Sequence, residues 1–439
     1  MRSGQERTIF HVDVNSAFLS WSAVKRLRED PEAVDLRTIP SAVGGDEATR
    51  HGIITAKSTP AKKYGIKTAM TVTNALRLCP NLVLVPADFK TYREFSHQFI
   101  AILKKYTDLV EQASIDEAYM DVTGTAELYR SFETEEQKWP LSLAYHISNE
   151  IKTDLGFTVN VGVSVNKLLA KMASDFEKPD KVHTLYPEEI PRKMWPLPVG
   201  ELFGCGARTA ERLRTLGVVT IGDAAALDEE VLKRALGDKA VTYIWRSANG
   251  LSDSPVEPVR EEAKSVSNEI TLSADIVDSN FNRFMPVKVH SLSESVARRL
   301  RKAGLYGSTV VATVKTSDFR RRSKQVPLSA PTDSAPIIET AAMDLFRDLC
   351  FGTVNSAGLF AEDVGVRLVG VGVTNIDHGE NRQLSLFDLP SGTDTLLEAG
   401  ESAENETNSQ HSTEKQHKLD AMEDAINGKF GDGVLKRGL

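Results

Sequence analysis

Between Ile9 and Val163, short apolar, β-branched runs alternate with stretches of helical periodicity, and this leaves few options other than a sheet with helices packed on it. Ile9–Val14 reads as a buried strand. Asp13-Val14-Asn15-Ser16 at its end can cap a helix that starts near Ala17 and runs through Trp21, Val24 and Leu27. Residues 30–80 mix Pro, Gly and Lys with short apolar patches, as in a small, loop-rich insertion. Phe99, Ile100, Leu103 and Tyr106 place a helix over 95–109, Ser114–Val122 reads as strand–turn–strand, a second helix covers about 140–154, and 157–163 alternates as a strand. From 186 to 248 the pattern is helical and short-looped, and 249–262, rich in Ser, Asp, Pro and Glu, reads as a linker. Over 263–376 strand-like runs (309–314 and 364–373) alternate with two long amphipathic helices, which predicts a separate α+β domain. Beyond 377 core-forming residues thin out, and 391–439 holds 10 acids against 5 bases, the composition of a mostly disordered tail.

At 439 residues the chain is long enough for about three domains. Its net charge of −8 rules out a uniformly basic coat but leaves local binding of polyanions open. Cys79, Cys205 and Cys350 are far apart and odd in number, so neither a disulfide framework nor a zinc site can be built from them, and a reducing cytoplasm is expected. No apolar run approaches the roughly 18 residues of a membrane span, and the acids inside the first apolar stretch do not suit a signal peptide.

Chemistry is concentrated in three acids: Asp13 on the first strand and Asp116-Glu117 in the later hairpin. Successive strand residues face opposite ways, so Asp116 and Glu117 share a site only if the chain turns there, which Ala113-Ser114 and Ala118 permit. Three clustered carboxylates require protons or cations. Oxygen donors with few histidines favour Mg²⁺, and two such ions ~4 Å apart would clamp an in-line phosphoryl transfer. Three unrelated, solvated surface acids are the alternative.

The surrounding motifs bear on that choice. Asp13-Val14-Asn15-Ser16-Ala17-Phe18, then Ser114-Ile115-Asp116-Glu117-Ala118-Tyr119-Met120-Asp121, Gly162-Val163-Ser164-Val165-Asn166-Lys167, Lys178-Pro179, Gly204-Cys205-Gly206 and Leu216–Asp223 follow in order. The set resembles the Y-family translesion DNA polymerases, in particular the bacterial DinB/UmuC branch, over about residues 9–388. The resemblance implies a right-hand polymerase of α/β plus α+β class. Its ferredoxin-like palm would be 1–29 and 88–185, with small fingers at 30–87 and a thumb with a helix-hairpin-helix at 186–248. The linker would be 249–262 and the little finger 263–376, with a tail at 377–439.

The resemblance also assigns roles. Asp13 and Asp116 would hold two Mg²⁺ ions with the carbonyl of Val14, and Glu117 the ion that activates the primer hydroxyl. Backbone N–H groups from Asn15, Ser16, Ala17 and Phe18 would meet the triphosphate of an incoming deoxynucleotide at a strand-to-helix turn. Phe18 would be the steric gate against a 2′-hydroxyl, although a core position at the helix start is open to it as well. Ile53 would roof the nascent base pair, or else sit in a strand core. Thr59, Lys62 and Lys178 would also contact the triphosphate, with Lys178 free at a helix end. The chain departs from the common family pattern at Thr59 (often Tyr), Lys62 (often Arg), Asn15 (often an acid) and Leu19 (often aromatic). Lysine offers no bidentate fork to phosphate.

Primer-template DNA is the implied macromolecular partner. Gly204 and Gly206 would turn a hairpin whose next helix takes a phosphate. Residues 298–324 carry nine bases, among them Arg298, Arg299, Arg320, Arg321 and Arg322, and one acid, Asp318, as an electrostatic track for DNA should. Gln383-Leu384-Ser385-Leu386-Phe387 in the polar tail resembles a clamp-binding peptide, with Gln383, Leu384, Leu386 and Phe387 as anchors for a sliding clamp. The chain is expected to be a cytoplasmic monomer. Two other functions compete: a catalytically weak DNA- and clamp-binding accessory protein, and a palm-like nucleotide cyclase. The intact acids oppose the first, and the hairpin, basic run and clamp peptide are superfluous to the second.

Overall fold

The computed structural model describes residues 7–45, 52–228, 233, 238–259, 262–378 and 422. The chain divides into two compact units, Met1–Arg260 and Glu261–Leu439.

In the first unit β1 (Ile9–Val14) leads through a tight turn into α1 (Ala17–Glu29). A small sheet follows, of β2 (Ser41–Gly44), β3 (Ile54–Lys57) and β4 (Val83–Val85) in the order β3-β2-β4, with α2 (Thr59–Lys62) and α3 (Val72–Leu78) beside it. The segment read as loop-rich thus has a sheet and a core of its own, including Ala42, Ile54, Ile66 and Val72. Its strands of three and four residues are too short for alternation to register. Next come α4 (Phe89–Leu103), β5 (Val110–Gln112), β6 (Glu117–Asp121), α5 (Leu141–Glu150), β7 (Val159–Ser164), α6 (Lys167–Ser174) and β8 (Val182–Thr184). Helix α4 begins six residues before the expected 95, because the Asp88 carboxylate accepts the Thr91 N–H at 3.2 Å and caps it there.

The main sheet has the order β5-β6-β1-β7-β8, so β1 is central and buried along its length. Its side chains alternate between two covered faces. Phe10, Val12 and Val14 pack with Trp21, Tyr92, Phe95, Phe99 and Phe157 in an aromatic-rich core. Ile9, His11 and Asp13 point the other way, toward α6: Ile9 packs with Tyr119 and Ala170, and His11 Nδ1 lies 2.8 Å from Ser174 Oγ. Helix α6 approaches this closely because Gly162, opposite His11 on β7, has no side chain; a Cβ there would stand 1.9 Å from the Ala170 carbonyl oxygen.

Beyond the sheet, short helices include Ala207–Thr215, Ile221–Ala226 and Asp238–Ala248. The segment read as a linker is docked at its far end. Val256 is buried against Ile9, Tyr119 and Ala170, and the Glu257 N–H donates to Glu111 at 2.8 Å.

The second unit is a four-stranded antiparallel sheet backed by the helices Phe281–Ala303 and Ala335–Phe351. Its strands are β9 (Ser265–Ile276), β10 (Tyr306–Thr316) and β11 (Arg321–Thr332), then the two-residue pair β12 (Gly352–Thr353) and β13 (Ser356–Ala357), and β14 (Val366–Asp377). The four long strands lie in the order β11-β10-β14-β9. Strand β11 was not anticipated: Arg322 and Lys324 share the less exposed face with Val326 and Leu328, so it lacks an apolar run. The peptide Gln383–Phe387 lies outside the described residues, as does the tail apart from Asp377, His378 and Met422.

Candidate active site

Antiparallel pairing sets Asp13 on β1 opposite Glu117 on β6, on the face that α6 covers. Asp116 is brought alongside by the turn that precedes β6. The Val14 N–H donates to the Asp116 carbonyl at 3.0 Å, and the N–H groups of Ala113 and Ser114 donate to the Glu117 carbonyl at 3.0 and 3.2 Å. Ser114 stiffens this turn: its hydroxyl donates to the Asp116 carboxylate at 2.6 Å and accepts the N–H groups of Asp116 and Glu117. The chain therefore turns where two adjacent acids require it to turn.

Asp13 and Asp116 line one cavity of about 420 Å³, together with Asn15, Ser16, Ala17, Phe18, Thr59, Lys62 and Lys178. Glu117 does not line this cavity. Its carboxylate accepts from Lys171 Nζ at 2.8 Å and lines a neighbouring cleft. The Asp13 carboxyl, only 6% exposed, is raised by burial, against the pull of Lys178, which hydrogen-bonds it, and of Lys171 at 3.9 Å. Glu117 is held down at about 2 by the His11 imidazole and by Lys171. His11 is 3.8 Å away, too long for a hydrogen bond, and burial keeps it below its ordinary value. The Lys171 ammonium is therefore the partner that persists at neutral pH.

The turn after β1 has the geometry an anion needs. Ser16 takes a left-handed conformation (φ 49°) that swings the chain from strand into helix. The first N–H groups of α1 have no partner within the helix, and they border the cavity at Ala17 and Phe18. Asn15 donates to Thr158 Oγ1 at 3.2 Å, while its buried Oδ1 accepts nothing among the described residues. Thr59 and Lys62 stand on α2, which Ser58 caps by accepting the Ala61 N–H.

Phe18 is packed among aromatic rings and also borders the cavity. Its ring stacks on Tyr92 (centroids 4.7 Å apart, planes 10° apart) and meets Phe89 edge-on. Ile53 is 44% exposed and so is not a core residue. Lys178 is not free, as expected from its helix end, but is paired with Asp13 and, at 2.8 Å, with Asp175.

Lys57, Arg37 and Lys171 were missed. Lys57 lines the cavity, and its pKa is lowered by burial and by the charge of Lys62, as in a site prepared for an anion. Arg37 lines the same cavity, its guanidinium tied to Asp35. The clue to Lys171 was available: it lies three residues beyond Leu168, inside the apolar stripe of α6.

Gly204 turns at φ +83° with Tyr243 packed where its Cβ would be, and Gly206 caps the helix Ala207–Thr215. In the second unit the basic run is partly neutralised by acids outside its sequence window. Arg321 pairs with Glu269 at 2.7 Å, Arg322 with Glu362 at 2.9 Å and Lys324 with Asp348 at 2.5 Å, while Arg320 holds Asp318 at 2.6 Å. Arg299 donates to the Ser267 carbonyl, and Arg298 has an interaction of its own. These pairs are exposed and each contributes little, so phosphates can replace the carboxylates.

The oxygen donors suit a hard divalent cation: carboxylates at Asp13, Asp116 and Glu117 beside the unpartnered Asn15 Oδ1, with the charge now balanced by lysines. Among the described residues no three acid, histidine or cysteine side chains converge tightly enough to hold a metal, and the Glu117 carboxylate is engaged by Lys171 at 2.8 Å. Acids at a sheet end beside a turn suited to an anion are an arrangement that phosphoryl or nucleotidyl transfer can use. The impB/mucB/samB family profile matches residues 12–175, that family's HHH motif 187–218 and its C-terminal domain 263–386. DNA polymerase IV of Clostridium acetobutylicum is 40% identical over 435 residues, covering 98% of this chain and 97% of that one. DNA polymerase IV 1 of Bacillus subtilis is 35% identical, covering 99% and 93%. A solved Y-family DNA polymerase chimera matches with a TM-score of 0.69 at 25% identity, over 84% of this chain and 99% of its own. The chain belongs to the impB/mucB/samB family: it is a bacterial Y-family DNA polymerase of the DinB type, an enzyme of translesion synthesis.

Proposed function

We propose that Asp13, Asp116 and Glu117, with the Val14 carbonyl, hold two Mg²⁺ ions and that this site extends a DNA primer with deoxynucleotides opposite damaged template bases. The observation that carries the reading is the convergence of Asp13 and Asp116 on one cavity with the N-terminus of α1 and the pair Thr59 and Lys62. When bound, the divalent cations supply Lewis-acid charge that lowers the pKa of the primer hydroxyl and neutralises the leaving phosphate. The chain's own residues do the rest. The N–H groups of Ser16, Ala17 and Phe18 orient the triphosphate at a helix N-terminus; that of Asn15, counted with them in the sequence, already donates to the Thr158 carbonyl at 3.0 Å. Lys57 and Lys62 add positive charge to it, and Thr59 a hydroxyl. Phe18, braced by Tyr92, blocks the 2′ position of the sugar. Lys178 serves the triphosphate once it leaves Asp13.

The hairpin at Gly204 and Gly206 and the arginines Arg298, Arg299, Arg320, Arg321 and Arg322 hold duplex backbone without reading sequence. Gln383, Leu384, Leu386 and Phe387 anchor the enzyme, a monomer, to a sliding clamp. On this reading the palm is 1–29 and 88–185, the fingers 30–87, the thumb 186–248 and the little finger 263–376. Primer extension past a template lesion with Mg²⁺ tests the reading. Asp116→Ala is expected to lower the rate at least ~1000-fold, and extension at the wild-type rate would refute the ligand assignment. A binding-only accessory protein would show no extension in either form.

A further inference from the structure

Lys171 is a lysine with 8% exposure that the polymerase reaction does not use. Its ammonium stands 2.8 Å from Glu117, 3.9 Å from Asp13 and 3.3 Å from Asp175. Lys178 makes a parallel set, hydrogen-bonded to Asp13 and 2.8 Å from Asp175. Two ammonium groups thus balance two catalytic carboxylates, and both also reach one further acid that is half-exposed and lines neither cavity.

We propose that Lys171 and Lys178 compete with divalent cations for Asp13 and Glu117, and that Asp175 is the acid that draws the ammonium groups off when a cation enters. A buried carboxylate left without a counter-charge is costly, so the lysines keep the acids in place. The same charge opposes a divalent ion, because each ammonium holds one oxygen of a carboxylate the ion would use: Oε1 of Glu117 and Oδ2 of Asp13. Asp175 lowers the cost of exchange because it already touches both lysines, four and three residues along the same stretch of chain. Lys171 is on this account a positioning residue. Its charge keeps Glu117 ordered toward Asp13 and sets how much divalent cation the enzyme needs.

The proposal rests on the metal-ligand reading of Asp13 and Glu117, and the test separates the two. The full-length protein, without DNA or nucleotide, is titrated with Mn²⁺ and the free ion followed by electron spin resonance. Lys171→Met is expected to bind Mn²⁺ about tenfold tighter, since a positive charge beside the ligands is gone. Asp175→Asn is expected to bind it about threefold more weakly, because the lysines then stay on the ligands. Asp13→Asn should lose the site. Wild-type isotherms for Lys171→Met and Asp175→Asn, with Asp13→Asn still deficient, would overturn the exchange while leaving the metal site standing. A wild-type isotherm for Asp13→Asn would overturn the ligand reading itself, and the exchange with it. Should Lys171→Met fail to fold, Asp175→Asn, a surface change, decides the matter alone.

Discussion

Phe18 is held by the core while facing the cavity. Tyr92, fully buried, stacks against its ring and hydrogen-bonds Ser22 at 2.9 Å, so the ring cannot turn aside for a larger sugar. Phe18→Ala is therefore expected to raise ribonucleotide incorporation by about 100-fold relative to deoxynucleotide, read as a ratio of kcat/KM values; an unchanged ratio would remove the gate. Core packing does not exclude the proposed gate: Phe18 packs on Tyr92 and borders the cavity at once. Asp13 and Asp116-Glu117 were legible because a strand ends at one and a turn of small residues precedes the others. The burial of Lys171 could be read from the stripe of α6, but its pairing with Glu117 could not, since that depends on how closely α6 rides over Gly162, and that distance is tertiary.

At the level of elements, local pattern was enough for β1, α1 and the two long helices of the second unit. It failed where strands were short, as in β2–β4, or charged, as in β11. The basic run over 298–324 shows a related limit: it was summed along the chain, whereas Glu269, Glu362 and Asp348 reach it across strands and helices. A further tie joins α4's end to α5. Burial acts to raise the Glu150 carboxyl, but Lys105 at 2.5 Å and the Tyr106 hydroxyl outweigh it, and its pKa lies below the usual 4.5. A depressed acid stabilises the fold fully above its unfolded value and loses that contribution as pH falls through its folded one. Glu150→Gln is expected to cost roughly 1 kcal/mol at neutral pH, with a melting temperature that falls less steeply than the wild type's below about pH 4.5. Parallel melting curves across that range would contradict the tie.

For the whole molecule, a net charge of −8 coexists with a nucleic-acid enzyme because charge is sorted by region: the tail is acidic while the second unit's strands and helix end are basic. No helix among the described residues is long and apolar enough to cross a membrane. Truncation after His378 is expected to leave unassisted primer extension within about twofold of wild type while abolishing stimulation by a sliding clamp; retained stimulation would place the clamp contact elsewhere. The most direct measurement is anomalous diffraction from the full chain crystallised with primer-template, a non-hydrolysable deoxynucleoside triphosphate and Mn²⁺. Two peaks are predicted, both ligated by Asp13 and Asp116 and one also by Glu117, with Lys171 withdrawn to Asp175. Peaks held by other residues, or Glu117 still bound to Lys171 with the cations in place, would contradict the account.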